Sequence, residues 1–123
     1  MMQDLVGIVR DDEAMRSALQ ELDTLKGRAN QVGVTGHREY HTGWHTAQDL
    51  ANLLVVSEAI TRSALERKES RGGHFRQDYA NREQAFSTFN FAVRPGSDGS
   101  MQVSRVPIPA LPTELQQVIK ENE

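Results

Sequence analysis

Three histidines in this sequence have a spacing that could bind a metal. His37, His41 and His45 stand at i, i+4 and i+8. On one continuous helix this spacing places three imidazoles on one face, and three histidines can bind zinc. We expect Gly43 to break the helical register, and Arg38 follows His37 where a zinc metalloprotease motif has glutamate. The alternative interpretation is a set of loop histidines that hydrogen-bond to their neighbours.

A second group of reactive side chains lies in the segment Glu69-Ser-Arg-Gly-Gly-His74. Arg71 carries five donors in a planar fork that suits carboxylates or backbone carbonyls. The two glycines allow another backbone to approach closely, and neutral His74 can both donate and accept a hydrogen bond. The segment is either a helix C-cap followed by a loop or a docking surface.

Other kinds of functional site have weaker support. No serine lies in the Gly-x-Ser-x-Gly motif of a hydrolase, and the sequence contains no phosphate-binding loop. A local cluster of basic residues consists of Arg62, Arg67, Lys68, Arg71 and Arg76, next to Phe75. Such a cluster could bind phosphate or nucleic acid. Acidic residues are interspersed in it and the formal net charge is −3, so we expect no nucleic-acid partner.

Composition limits the chain to one domain, since 123 residues leave no room for a second core. Hydrophobic residues make up 37% of the chain, and this low content predicts a thin core with some apolar surface for a partner. The absence of cysteine excludes disulfides and thiolate metal sites. No apolar run approaches the roughly 18 residues of a membrane span, so we expect no direct membrane insertion.

Helical periodicity dominates the first seventy residues. Residues 2–10 are predicted to be the end of a helix, and residues 11–13 give the second helix an acidic N-terminus. The predicted buried stripe of the second helix is Met15, Ala18, Leu19, Leu22 and Leu25. A glycine-punctuated connection over residues 30–45 precedes a third helix predicted for residues 46–69, which Gly72 and Gly73 end. The predicted buried face of the third helix is Leu50, Leu53, Leu54, Ser57, Ile60, Ala64 and Leu65.

The pattern changes to the period of a β-strand near the C-terminus. Alternation over residues 89–93 and 101–105, around a turn at 94–100, predicts an antiparallel hairpin. Thr113-x-x-Gln116 is a capping-box pattern that opens a short terminal helix. We therefore predict a mainly α fold: a three-helix, spectrin-repeat-like bundle over residues 1–70, and a loop, an appended C-terminal β-hairpin and a short terminal helix over residues 71–123.

These residues resemble the C-terminal domain of the succinate dehydrogenase and fumarate reductase flavoproteins. The most specific matches are Ala64-Leu-Glu-Arg67, Glu69-Ser-Arg-Gly-Gly-His74 and Arg76-x-Asp78-Tyr79. Less specific matches are Val6-Gly-Ile8 with Arg10, the connection from Gly36 to His45, and the hairpin with its tail. The resemblance covers essentially the whole chain. L-aspartate oxidase shares the Glu69–His74 segment. The sequence departs from the family at Gln77, where an acidic residue is common, and at Ala80, where proline is usual.

The resemblance implies a parent oxidoreductase of the tricarboxylic acid cycle and electron transport. That parent interconverts succinate and fumarate through FAD and passes electrons to an iron–sulfur subunit. It is cytoplasmic and peripheral on the inner face of the cell membrane through its complex. By this resemblance the chain is the C-terminal helical domain of a longer flavoprotein.

For this chain itself the resemblance implies a structural role. We expect it to pack against the FAD-binding domain of the same polypeptide, with no catalytic, cofactor-binding or metal-binding residue of its own. The predicted interdomain contact residues are Glu69, Ser70, Arg71 and His74. Two alternatives remain: the C-terminal domain of L-aspartate oxidase, and an independent helical module that binds protein or RNA.

Overall fold

The computed structural model describes residues 1–37 and 39–122, so Arg38 of the predicted connection and the terminal Glu123 lie outside the described residues. The elements are α1 (Met2–Leu5), β1 (Val9–Arg10), α2 (Asp12–Ala29), α3 (Thr42–Glu66), β2 (Phe75–Arg76), β3 (Phe89–Pro95), β4 (Met101–Pro107) and α4 (Thr113–Glu121). A short 3₁₀ turn, Gln84–Ser87, precedes β3. The prediction of a helical bundle with a C-terminal hairpin and a terminal helix is confirmed.

The core lies between α2 and α3, which pack against each other. Met15, Ala18 and Leu22 of α2 are buried, as the predicted stripe requires, and Leu54 and Ala64 of α3 are buried with them. The α2 helix begins where the Asp11 carboxylate accepts a 2.8 Å hydrogen bond from the Ala14 amide. This carboxylate satisfies one of the N–H groups that lack a partner within the helix.

One buried carboxylate ties the two long helices together. Glu58 of α3 is almost fully buried and receives hydrogen bonds from Lys26 of α2 and from Arg62, whose Nε lies 2.6 Å from Oε1. Burial by itself raises the pKa of Glu58, but the hydrogen bonds from Lys26 and Arg62 outweigh it and leave the pKa below its ordinary value. The carboxylate therefore stays charged between its two cationic partners.

The α3 helix begins four residues earlier than predicted and ends three residues earlier. The His41 ring caps its N-terminus: Nδ1 accepts from the Trp44 amide at 3.2 Å, and Nε2 donates to the Thr35 carbonyl at 2.8 Å. Gly43 lies in the first turn and does not break the helix as expected. A Cβ at this position would stand 2.9 Å from the His41 ring, so glycine leaves the space that the capping imidazole occupies.

The predicted buried face of α3 is wrong at two positions. Leu53 is 62% exposed and Ile60 is 46% exposed, next to the exposed Val55 and Val56. The helix is apolar on more than one side, so spacing alone does not identify the side that meets α2. Leu53, Val56 and Ile60 form an apolar strip on the outside of the bundle, which we call the outer α3 face.

Residues 2–10 form a short helix and a strand where sequence analysis predicted one helical segment. After α1 the chain extends, and β1 pairs in parallel with β2, with Val9 opposite Phe75 and Arg10 opposite Arg76. The Phe75 amide donates to the Ile8 carbonyl at 3.0 Å, and the Gln77 amide donates to the Arg10 carbonyl at 2.8 Å. This ladder joins the N-terminal segment to the loop that follows α3.

The hairpin has the predicted antiparallel pairing, with Phe89 opposite Pro107 and Pro95 opposite Met101. Both strands pack on α3. The predicted capping box of α4 is wrong, because Pro112 is the N-cap and the Gln116 side chain instead donates from Nε2 to the Leu111 carbonyl at 2.6 Å. Within residues 1–37 and 39–122, no helix combines the length and the apolar character that crossing a membrane requires.

Two leucine-to-alanine variants test this assignment of the core. Leu22→Ala should lower the free energy of unfolding by about 2–5 kcal/mol, because it leaves a cavity between α2 and α3. Leu53→Ala removes the same atoms from an exposed site and should change stability by no more than about 0.5 kcal/mol. Urea unfolding of the isolated chain measures both. Equal losses in the two variants would contradict the exposure of Leu53.

Candidate functional site

The side chains that sequence analysis singled out lie around a buried arginine at the C-terminus of α3. Arg76 of β2 is fully buried. Its Nη1 donates to the carbonyls of Ala64 at 3.0 Å and Leu65 at 3.2 Å, with a longer contact of 3.4 Å to the Arg67 carbonyl. The last carbonyls of a helix lack partners within it and form the negative end of its dipole. Arg76 therefore caps α3.

Asp78 neutralises the Arg76 charge. Arg76 Nε lies 2.7 Å from Oδ1 of Asp78 and Nη2 lies 2.5 Å from Oδ2, so the two planar groups meet in a two-point hydrogen bond. The hydrogen bonds from Arg76 lower the pKa of Asp78 below its ordinary value. The guanidinium also lies over the Tyr79 ring, 5.0 Å from its centre. All three nitrogens of the buried cation thus have a partner.

A buried carboxylate lies beside this arginine. Glu69 is fully buried and accepts from Arg67 Nη1 at 2.6 Å, from Arg71 Nε at 2.9 Å and Nη2 at 3.0 Å, and from the Glu83 amide at 3.0 Å. These hydrogen bonds, that of Arg71 most of all, lower the pKa of Glu69 to about 2. The Arg71 fork therefore faces a carboxylate of its own chain, and its side chain remains 26% exposed.

Ser70 holds the loop that follows. Its hydroxyl accepts from the Arg76 amide at 2.9 Å and donates to the Tyr79 carbonyl at 2.9 Å. Its own amide donates to the Asn81 carbonyl at 3.0 Å. One serine thereby fixes three points of the loop.

His74 links the loop to the N-terminal strand. Arg10 Nη1 lies 2.6 Å from Nδ1, and Nε2 lies 3.0 Å from the Arg67 carbonyl. An arginine can only donate and a carbonyl can only accept, so these contacts require a neutral imidazole that carries its proton on Nε2. Burial lowers the pKa of His74, and the positive charges of Arg10, Arg76 and Arg67 lower it further. The hydrogen bond to the Arg67 carbonyl raises the pKa, but the net shift is downward. The ring is neutral near pH 7.

We call these side chains the loop network: Arg10, Arg67, Glu69, Ser70, Arg71, His74, Arg76 and Asp78. The structure brings all four predicted contact residues together in it. The sequence pattern does not indicate Arg10 as a member of the loop network, and it places Arg76 in a local cluster of basic residues. The alternation of basic and acidic residues between Arg67 and Asp78 was a signal of internal pairing, but no local pattern linked Arg10 to His74.

The alternative sites weighed from the sequence find little support. His41 uses Nδ1 to cap α3 and Nε2 to bind the Thr35 carbonyl, so both ring nitrogens are engaged. Over residues 1–37 and 39–122, no three histidine, aspartate or glutamate side chains are grouped so that they could hold a metal ion. The basic cluster is largely neutralised, since Arg62 pairs with Glu58, Arg67 and Arg71 pair with Glu69, and Arg76 pairs with Asp78.

Comparison with known proteins gives a consistent result. Residues 1–120 match the family described as fumarate reductase flavoprotein C-term. The fumarate reductase flavoprotein subunit of Mycobacterium tuberculosis is 32% identical over 108 residues, which are 87% of this chain and 18% of that protein. L-aspartate oxidase of Acinetobacter baylyi is 37% identical over 83 residues, which are 68% of this chain and 14% of that protein.

A solved structure is similar over the same region. In the apo form of the Sdh1 complex of Mycobacterium smegmatis, one chain superposes with a TM-score of 0.77 and 40% identity, over 86% of this chain and 18% of that chain. The chain therefore spans less than a fifth of the length of each of these three proteins.

The helix cap can be tested by removing its guanidinium. Arg76→Gln should lower the free energy of unfolding by about 3–5 kcal/mol, because it leaves Asp78 and the last carbonyls of α3 without their donor. Arg82→Gln changes an exposed arginine of the same loop and should change stability by no more than about 0.5 kcal/mol. Urea unfolding gives both values. A small effect of Arg76→Gln would mean that α3 does not depend on this cap.

The buried Glu69 carboxylate makes stability depend on pH. Its pKa falls from 4.5 in the unfolded chain to about 2 in the folded protein, so its contribution is complete above pH 4.5 and is lost as the pH falls through about 2. The stability difference between the wild-type chain and Glu69→Gln should therefore be constant near neutral pH and narrow below pH 4.5. Urea unfolding over a pH series measures it. A difference that does not change with pH would mean that folding does not lower the pKa of Glu69.

Proposed function

The chain belongs to the fumarate reductase flavoprotein C-terminal family, and on that basis we propose that it is the C-terminal structural domain of a longer flavoprotein. The parent polypeptide binds FAD in another domain and interconverts succinate and fumarate. The observation that carries this proposal is the match over residues 1–120 to a family defined as one part of a flavoprotein. In this proposal the chain fixes the geometry of the assembly and performs no catalysis alone.

The pairing of the loop network supports a structural role. Glu69 is held by two arginines and a backbone amide, and Arg76 is held by a carboxylate and the end of a helix. Among the residues that the structure describes, every buried side-chain nitrogen and oxygen has a hydrogen-bond partner. Groups that are fully engaged with one another hold a loop in one shape.

We place the contact with the flavin domain at the outer edge of the loop network. Gly72 and Gly73 are exposed, and a Cβ at either glycine would meet only open space. Gly72 has a φ of +58°, a conformation that glycine adopts without strain. The four predicted interdomain residues contribute in different ways. Arg71 and His74 lie partly exposed beside the glycines, while Glu69 and Ser70 hold them in position from within.

The outer α3 face is a second candidate for the contact. Leu53, Val56 and Ile60 expose 46–62% of their surfaces and lie at i, i+3 and i+7, on one side of the helix. Clustered apolar surface of this kind marks sites of association in soluble proteins. The low hydrophobic content of the chain makes this exposure more notable, because few apolar side chains are available for the core.

The proposal extends to the partners and location of the parent protein. We propose that electrons from its FAD pass to an iron–sulfur subunit, and that the complex is cytoplasmic and peripheral on the inner face of the cell membrane. Similarity to flavoprotein subunits and to a chain of the Sdh1 complex supports both statements.

L-aspartate oxidase provides a second candidate for the parent. The identity to the enzyme of Acinetobacter baylyi is as high as that to the fumarate reductase subunits, although it extends over less of the chain. The two parents differ in substrate, so the rate of flavin reduction by succinate or by L-aspartate in the parent polypeptide distinguishes them.

The structural role can be tested by reassembly. We expect the flavin domain encoded in the same reading frame to retain more FAD, and to show higher succinate–dye reductase activity, when this chain is added. Leu53→Asp should weaken this effect at least about tenfold, because it introduces a charge into the outer α3 face. Gln20→Asp adds the same charge on the exposed side of α2, away from the outer α3 face, and serves as the control.

The outcomes of reassembly separate the alternatives. If the folded chain neither binds the flavin domain nor changes its activity, the independent binding module becomes the better interpretation. If the wild-type chain binds and Leu53→Asp binds equally well, the contact lies at the loop network and not on the outer α3 face.

A further inference from the structure

An open cleft of about 590 Å³ lies between α3, β3 and the loop network. Its apolar wall includes Ile60 of α3 and Phe91 of β3. Arg10, Arg67 and His74 supply the basic side chains of the lining, and Ser63 and Asn90 add neutral polar groups. No aspartate or glutamate is among the described residues that line the cleft. The cleft thus combines positive charge with an apolar wall.

Arg10 differs from the other arginines of the loop network. Its Nε donates to the Gly7 carbonyl at 2.5 Å and its Nη1 contacts His74, but it forms no ion pair with a carboxylate among the described residues. Burial lowers the pKa of Arg10, and the positive charge of Arg76 lowers it further. A partly buried cation is normally paired, and this one has no counter-ion among the described residues.

The second arginine of the cleft is Arg67, and only one of its three nitrogens donates a hydrogen bond among the described residues. Arg67 uses Nη1 for Glu69, and its guanidinium lies over the Phe91 ring, 5.0 Å from the centre. Its Nε and Nη2, like Nη2 of Arg10, donate no hydrogen bond to any side chain or carbonyl in the described part of the chain. Two guanidinium groups therefore have unused donors at the edge of one cleft.

We propose that this cleft binds a carboxylate group, with Arg10 and Arg67 as its donors and with Ile60 and Phe91 against the aliphatic chain that carries it. A planar carboxylate matches the donor fork of a guanidinium, and the apolar wall suits the hydrocarbon part of an aliphatic acid. Free acids and the aspartate or glutamate side chains of a bound polypeptide share this chemistry. The proposal stands on this chain alone and does not depend on the proposed parent flavoprotein.

Titration of the isolated chain with sodium butyrate tests the site. The ¹⁵N NMR signals of the arginine Nε groups and of the His74 ring report the binding. Butyrate should cause saturable shifts of Arg10, Arg67 and His74. Neither butyramide nor sodium chloride at equal ionic strength should cause these shifts. Butyramide is similar in shape to butyrate but carries no charge. Arg10→Gln should weaken butyrate binding at least about tenfold, because it removes a charged donor. Arg94→Gln, on an exposed arginine of β3, should leave binding unchanged.

A second variant keeps the test decisive if Arg10→Gln fails to fold. Ile60→Asp changes an exposed side chain outside the loop network and places a negative charge at the cleft, so it should also weaken butyrate binding at least about tenfold. The proposal is wrong if butyrate causes no saturable shift, if butyramide or chloride causes the same shifts, or if the folded variants bind butyrate as the wild-type chain does.

A third arm identifies the source of the carboxylate. A short peptide with one glutamate between apolar residues is compared with the same peptide carrying glutamine. Tighter binding of the glutamate peptide than of butyrate would assign the cleft to a side chain of a bound polypeptide. Butyrate binding as tight as that of the peptide, or tighter, would assign it to a free acid.

Discussion

The buried guanidinium of Arg76 is the interaction on which most of this structure depends. Transfer of an arginine from water to a protein interior costs several kcal/mol unless its donors are satisfied. The chain satisfies them with Asp78 and with the carbonyls that end α3. Because Arg76 also pairs with Arg10 in the parallel ladder, one residue fixes the end of the long helix, the loop after it and the N-terminal strand.

Glu69 is a second buried charge that is paired within the loop network. It lies between Arg67 and Arg71, so the loop network places each buried charge next to its opposite. The hydrophobic core is small, and its central side chains are Met15, Ala18 and Leu22. Hydrophobic burial of this extent leaves the loop after α3 largely outside the core. Ordered hydrogen bonds between ionised groups therefore specify the conformation of that loop.

The sequence was sufficient for the features that depend on local pattern. The stripe of α2 and the alternation of the hairpin strands are periodic, and both were predicted correctly. The start of α3 was not, because a histidine N-cap lies outside the usual capping residues and Gly43 resembled a helix breaker. The pairing of β1 with β2 could not be predicted, since each strand has two residues and they are far apart in the sequence. The contact residues were identified by type, but their partners depend on the folded chain.

Arg10 differs from the arginines that stabilise the fold through ion pairs. Every other arginine of the loop network meets a carboxylate of the same chain, and these pairs stabilise the fold. Arg10 has neutral partners, the Gly7 carbonyl and the His74 ring, and it meets no carboxylate among the described residues. The cleft instead places its unused donors beside Phe91 and the exposed Ile60. A cation that meets no carboxylate in the described part of the chain, next to an apolar wall, is the arrangement that a bound carboxylate completes.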